Sequence, residues 1–169
     1  MPEKATIARA RRDKQAGESA STQAGEFVRE EMHHIRERKH GARSTKQAIA
    51  IGLSKARRAG VKLGRPPAGA KAGTKRSAAY ASRAGRRGAK RQSPRRSRAI
   101  RAALKREGHM AASHKSLARQ ARTSAERRPA ASRRRAAARA VRTKGSRARR
   151  AAARKAARTR QRRRHRTSA

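Results

Sequence analysis

What most limits the fold open to this chain is the placement of its cations. Of 52 Lys and Arg, 43 fall after His40, in a stretch that holds only two acids, Glu107 and Glu126. Residues 1–40 carry nine cations and seven acids. The chain is thus a near-neutral head of +2 joined to a body of +41. Such a body repels itself in any compact state unless an anionic partner neutralises it. A nucleic acid has the charge density to do so, with a phosphate about every 1.7 Å of duplex axis.

The apolar side chains point the same way. Val, Ile, Leu and Phe number 13 in 169 residues, and most of the remaining hydrophobic content is Ala. So few large apolar groups with so much charge predict disorder. The expected fold is mostly disordered with short α-helices: one N-terminal antiparallel helix hairpin, a weaker second helical pair, and no β-sheet. There is no Cys, hence no disulfide framework, zinc finger or thiol chemistry. No apolar run is long enough to span a bilayer. The first residues, MPEKATIARARR, lack the hydrophobic segment of a signal peptide. A cytoplasmic, nucleoid-associated location is the expectation.

Along the chain, residues 1–24 read as a flexible polar arm. Residues 25–60 have helical grammar. Val28, Met32 and Ile35 recur at i, i+4 and i+7 beside Phe27, which gives one apolar stripe. Acids precede it and cations follow, in the order the helix dipole favours, and Gly41 is the expected stop. Ser44 and Gln47 fit a capping box for a second helix. That helix would show Ile49, Gly52, Leu53 and Ala56 on one face and end at Gly60. A loop of about three residues would fold the pair into a hairpin, with too few large side chains to be stable alone. Residues 61–93, broken by Pro66, Pro67 and repeated Gly including Gly88, read as a basic linker. Residues 94–128 form the weaker pair, Pro94 starting one helix and Ser113 capping the next. Residues 129–169 hold 17 Lys or Arg, 13 Ala and no acid. They read as a disordered tail, helical when bound to an anionic partner.

The motifs divide by how much chemistry they imply. The basic body implies phosphate neutralisation by Arg57, Arg58, Lys62, Arg86, Arg87, Arg95, Arg96, Arg133, Arg134, Arg135, Arg149, Arg150, Arg162, Arg163 and Arg164. Arg also suits bidentate phosphate contact. Gly64-Arg65-Pro66 is the core tripeptide of an AT-hook, a candidate minor-groove contact, although Leu63 and Pro67 replace the usual flanking basic residues. It also looks like the minor-groove arm of serine recombinases. The two-helix segment is read as a packing or dimerising hairpin, built on Phe27, Val28, Met32, Ile35, Ile49 and Leu53, rather than a groove-reading helix-turn-helix. His33, Glu37 and His40 stand at i, i+4 and i+7 but read as a solvated face. No metal, cofactor, small-molecule substrate or catalytic set is expected, so the chain reads as a non-enzyme. Phe27 and Tyr80 are its only aromatics, which disfavours base stacking on single strands.

The segment KHGARSTKQAIAIGLSKARRAG, Lys39 to Gly60, resembles a small bacterial domain of unknown function. That domain occurs in basic proteobacterial proteins described as DNA-binding or plasmid-stabilisation proteins. The likeness spans residues 26–64 and rests on Lys46-Gln47-Ala48-Ile49-Ala50-Ile51, Leu53-Ser54 and Ala56-Arg57. The chain departs from the pattern at Lys55, where many relatives carry an acid. The later half is similar in composition to linker-histone tails. The expected function is sequence-nonspecific, histone-H1-like DNA binding. The alternatives are an RNA- or ribosome-associated protein, and a protein-interaction module in plasmid maintenance with a DNA-localising tail. DNA is the expected partner, RNA a second, and self-association through the hairpin a third; a membrane surface is not expected.

Overall fold

Helix ends organise this chain. Ser19 accepts a hydrogen bond from the Thr22 N–H and opens α2, Ala20–Arg36. Ser44 does the same with the Gln47 N–H for α3, Thr45–Arg58, while the Gln47 amide oxygen accepts from the Arg43 N–H at 3.0 Å. Both helices close with the paired backbone bonds of a Schellman turn. In α3 the Gly60 and Val61 N–H groups donate back to Arg57 and Ala56, with Gly60 at φ 91°. In α2 it is Arg38, at φ 59°, that takes the left-handed position, and the Arg38 and Lys39 N–H groups donate to Ile35 and His34. The first helix therefore ends short of Gly41, and the connection runs over residues 37–44 instead of about three residues.

The computed structural model describes residues 2–87 and 93–167, and of residues 140, 142–149, 160 and 162–167 the backbone alone. Besides α2 and α3 it contains α1 (Lys4–Gln15), α4 (Ala72–Arg87), α5 (Pro94–Lys105), a 3-10 turn (Met110–Ala112), α6 (His114–Glu126) and α7 (Ala130–Thr167). No strand occurs among the described residues. Among the described residues no helix is long and apolar enough to cross a membrane. The chain divides into two units, residues 1–120 and 121–169.

In the first unit α2 is the central element. Its early residue Phe27 clusters with Leu53 and Ala56 late in α3, and its late residues Met32 and Ile35 cluster with Ala48 and Ile49 early in α3. The pair is therefore antiparallel. The two backbones nearly touch: a Cβ on Gly52 would lie 2.7 Å from the Val28 Cα. On the other side of Phe27, Ile7 and Ala10 of α1 close the cluster, joined by Val61 and Leu63. α4 packs on α3, with Ala81 buried and Gly85 against the Arg57 carbonyl.

The segment from α5 to α6 docks through its backbone. The Gly41 and Ala42 N–H groups donate to the Leu104 and Gly108 carbonyls at 2.8 and 2.9 Å. Arg36 Nε donates to the Ala112 carbonyl at 3.0 Å, and the buried Thr45 hydroxyl to the Ala111 carbonyl at 2.7 Å. Ala111 and Ala112 thereby join the core with Met32 and Ile35.

These observations overturn the expectation of a mostly disordered chain. Residues 4–15 form α1 where a flexible arm was expected, and α4 occupies residues 72–87 of the expected linker. Residues 88–92 of that linker, Gly88 included, lie outside the described residues. The error has a specific cause. The disorder argument counted large apolar side chains, but eight of the eleven buried apolar residues are Ala. Small side chains let helices approach until backbone packs on backbone, so dispersion is gained without large hydrophobes.

The second unit is different. In α7 every described side chain is exposed except the half-buried Ser132. Thirty-eight residues at about 1.5 Å rise make a helix of about 57 Å. Its Ala and Arg content favours helix, and no apolar stripe is present for packing.

Candidate nucleic-acid interface

Five of the seven acids of the head, Glu3, Glu26, Glu30, Glu31 and Glu37, are held in ion pairs; Asp13 is half-buried and Glu18 exposed. Glu26 pairs with Arg9 at 2.6 Å. Lys55 Nζ lies 2.7 Å from Glu31 Oε2 and 3.0 Å from Glu30 Oε1, and both carboxylates are buried. Glu30 Oε2 also accepts the Glu3 N–H at 3.1 Å. Glu3 Oε1 contacts His34 Nε2 at 2.8 Å, and Glu37 pairs with Lys39 at 2.9 Å. Burial works to raise the Glu30 pKa, but bonds from Lys55, the Glu3 N–H and Thr6 outweigh it and hold it below the ordinary value. Burial likewise opposes charge on Lys55, yet pairing with Glu31 and Glu30 raises its pKa. The Lys39 hydrogen bond lowers Glu37.

With Glu30 and Glu31 buried and Glu3, Glu26 and Glu37 paired, the elements after α3 present a largely cationic surface. On α4, Arg76, Arg83 and Arg87 are seven and eleven residues apart, and a helix of about 3.6 residues per turn returns them to one side. That side is opposite the buried Ala81. All three are exposed. Tyr80, one turn from Arg76, stands on the same stripe and is 59% exposed. No α-helix has an acid in its first turn, so the positive helix N-termini are not neutralised there.

The residues singled out in the sequence fall in several environments. Arg58, Lys62, Arg86 and Arg87 are exposed around the α3 end and the α4 end, and Arg95 and Arg96 are exposed in the first turn of α5. Arg57 is half-buried, and its Nη2 donates to the Gly64 carbonyl at 3.1 Å, so part of its capacity holds the loop. Gly64 and Arg65 are exposed and Pro66 half-buried on the α3–α4 connection. Arg133, Arg134, Arg135 and Arg150 are exposed on α7. Arg149, Arg162, Arg163 and Arg164 lie on the α7 backbone, their side chains outside the described residues. Phe27, Met32 and Ile35 are buried, and Val28, Ile49 and Leu53 half-buried against them.

The histidines are rearranged. His33, Glu37 and His40 do not share a helix face, because α2 ends at Arg36. His33 and Glu37 are exposed. The Schellman turn at Arg38 instead folds His40 back over α2. One ligand atom each from Glu31, His34 and His40 then lies within 4.8 Å of the others. His40 Nε2 is 3.3 Å from Glu31 Oε1, and the two imidazoles meet edge to face at 5.9 Å. Sequence spacing missed this group because it joins a helix to a loop. The turn that makes the join uses an Arg where a Gly is the usual signal.

Comparison of the chain with protein-family models, with curated proteins and with solved structures finds no match.

Proposed function

We propose that this protein binds duplex DNA without sequence preference, by neutralising phosphates along the exposed cations of α4, α5 and α7. The observation that carries the reading is charge segregation. Five glutamates, Glu3, Glu26, Glu30, Glu31 and Glu37, are tied to Arg9, Lys39 and Lys55. Apart from Lys55, residues 41–169 hold 42 cations against two acids. A solvated protein surface normally mixes the two signs; this one meets a polyanion with almost no opposing charge. Counterion release then supplies the binding free energy. The scarcity of aromatics favours backbone contact on a duplex over base stacking on single strands.

Tyr80 makes the test direct, since it is the sole Tyr in a chain without Trp. Its fluorescence reports on the α4 stripe without a label. Full-length protein is titrated with A/T-rich duplex, G/C-rich duplex and structured RNA at several salt concentrations. The expected result is a Tyr80 signal change and a log–log salt slope steeper than about −3, similar on both duplexes. A shallower slope would rule out extended phosphate contact. Tighter binding to RNA at matched salt would move the assignment to RNA. A strong A/T preference lost in Arg65→Ala would instead assign a minor-groove role to Gly64-Arg65-Pro66.

A further inference from the structure

We propose that Glu31, His34 and His40 bind a divalent transition-metal cation, with zinc the ion this donor set suits. The inference stands apart from nucleic-acid binding and rests on different residues from the cationic surface.

Proton placement at His40 is the starting point. His40 Nδ1 lies 3.1 Å from the Gly41 carbonyl oxygen. A carbonyl only accepts, so Nδ1 carries a proton, and in the neutral ring Nε2 then presents a lone pair. That lone pair faces Glu31 Oε1, a second acceptor, at 3.3 Å. The Glu31 carboxylate is buried to 1% side-chain exposure; its Oε2 lies 2.7 Å from Lys55 Nζ, while Oε1 has no hydrogen-bond partner. At this distance the two atoms are bridged either by the second proton of an imidazolium or by a metal cation, and metal titration separates the two. Tetrahedral zinc, with bonds of about 2.0–2.1 Å, sets neighbouring ligand atoms about 3.3 Å apart.

The surroundings match a dication. His34 brings the third donor within 4.8 Å; with Nδ1 as the ligand atom, the contact of its Nε2 with Glu3 at 2.8 Å supplies the carboxylate partner that orients metal-binding imidazoles. With both histidines neutral, the carboxylates of Glu3, Glu30 and Glu31 against the Lys55 ammonium leave two negative charges. Glu37 and Lys39 cancel each other nearby. Lys55 holds Glu31 through Oε2, which leaves Oε1 for the ion. A cleft of about 190 Å³ bordered by Glu3, Glu30, His34 and Lys39 opens beside His34.

The bound ion would pin the 37–44 connection to α2. That connection presents the Gly41 and Ala42 N–H groups that hold the end of α5. The site is therefore structural: it secures the docking of a segment otherwise held largely by backbone hydrogen bonds.

The test is a titration of the full chain with Zn²⁺ against a chromophoric chelator, with Co²⁺ as a spectroscopic substitute. One Zn²⁺ per chain is expected, with a rise in thermal midpoint, and Co²⁺ should give the intense visible bands of a four-coordinate site. His40→Ala and Glu31→Gln should weaken Zn²⁺ at least about 100-fold, and Glu3→Gln about 10- to 100-fold. His33→Ala, on the exposed neighbour, should leave affinity unchanged. If the wild-type chain takes up no stoichiometric Zn²⁺ or Co²⁺, the proposal is wrong. It is equally wrong if the His34→Ala/His40→Ala double variant binds as the wild type does. Should the ligand variants fail to fold, the wild-type Co²⁺ spectrum and the Glu3→Gln affinity decide the matter.

Discussion

Gly52 sits where α2 and α3 touch backbone to backbone. A Cβ there would meet the Val28 Cα at 2.7 Å and Cγ2 at 2.9 Å, and a main-chain atom cannot rotate away. Gly52→Ala should cost about 1–3 kcal/mol in urea unfolding. Gly25 in the same pair of helices meets nothing within 4 Å, so Gly25→Ala should add about 0.5–1 kcal/mol. Equal effects would count against the close approach. Lys55 is the other decisive residue. Removing its ammonium in Lys55→Met leaves Glu30 and Glu31 buried without their counter-charge, at a cost of about 3–5 kcal/mol. The pH dependence follows from the two shifts. Glu30 has a lowered folded-state pKa, so its contribution is present above its unfolded value of about 4.3 and is lost as pH falls through the folded one. Lys55 has a raised pKa, so its contribution is present below about 10.4 and is lost as pH rises through the folded value. Metal-free protein should therefore show a plateau of stability between these limits, falling in acid and in strong alkali. Lys55→Met should reduce the alkaline fall, leaving the part that Lys39 contributes.

At the scale of elements, the α2–α3 connection is where the fold is decided. It bonds the end of α5, brings His40 to Glu31, and begins at a left-handed Arg38. Gly41 is packed so closely that a Cβ would lie 1.9 Å from the Glu107 carbonyl oxygen. Gly41→Ala should therefore release α5 and the 3-10 turn. Hydrogen exchange should rise at Leu117 and across residues 104–113, while the α1–α2 contact around Phe27 keeps its protection. Uniform protection in the variant would show that the docking does not depend on this approach. The elements themselves were readable to different degrees. Ser44 with Gln47, and Gly60 as a stop, are local chemistry, and they stand in the sequence at the α3 ends. The α2 end did not, because Gly41 is the residue that local rules nominate. Its smallness instead serves a contact with Glu107, which lies 66 positions away.

At the scale of the whole molecule, the charge asymmetry divides the elements from one another. Acids concentrate where α1, α2 and α3 meet, and cations cover α4, α5 and α7. α7 carries 17 Lys or Arg and no acid, so cations four residues apart repel along its length. Added salt screens that repulsion over about 10 Å at 0.1 M. Helical ellipticity should therefore gain thermal stability with rising salt and gain more on adding duplex DNA. If neither changes, self-repulsion is not what limits the tail.

The sequence alone determined the charge segregation, the absence of thiol chemistry and the amphipathic stripe of Phe27, Met32 and Ile35. Each is a property of composition or of spacing within one helix. Only the tertiary structure decided that Ala would serve as core, that α1 would close over Phe27, and that Glu31, His34 and His40 would converge. The physical reason is common to the three. Burial of a methyl group, a backbone carbonyl meeting a distant N–H, and a histidine folding back across a turn all depend on which surfaces meet. Local propensity carries no record of that.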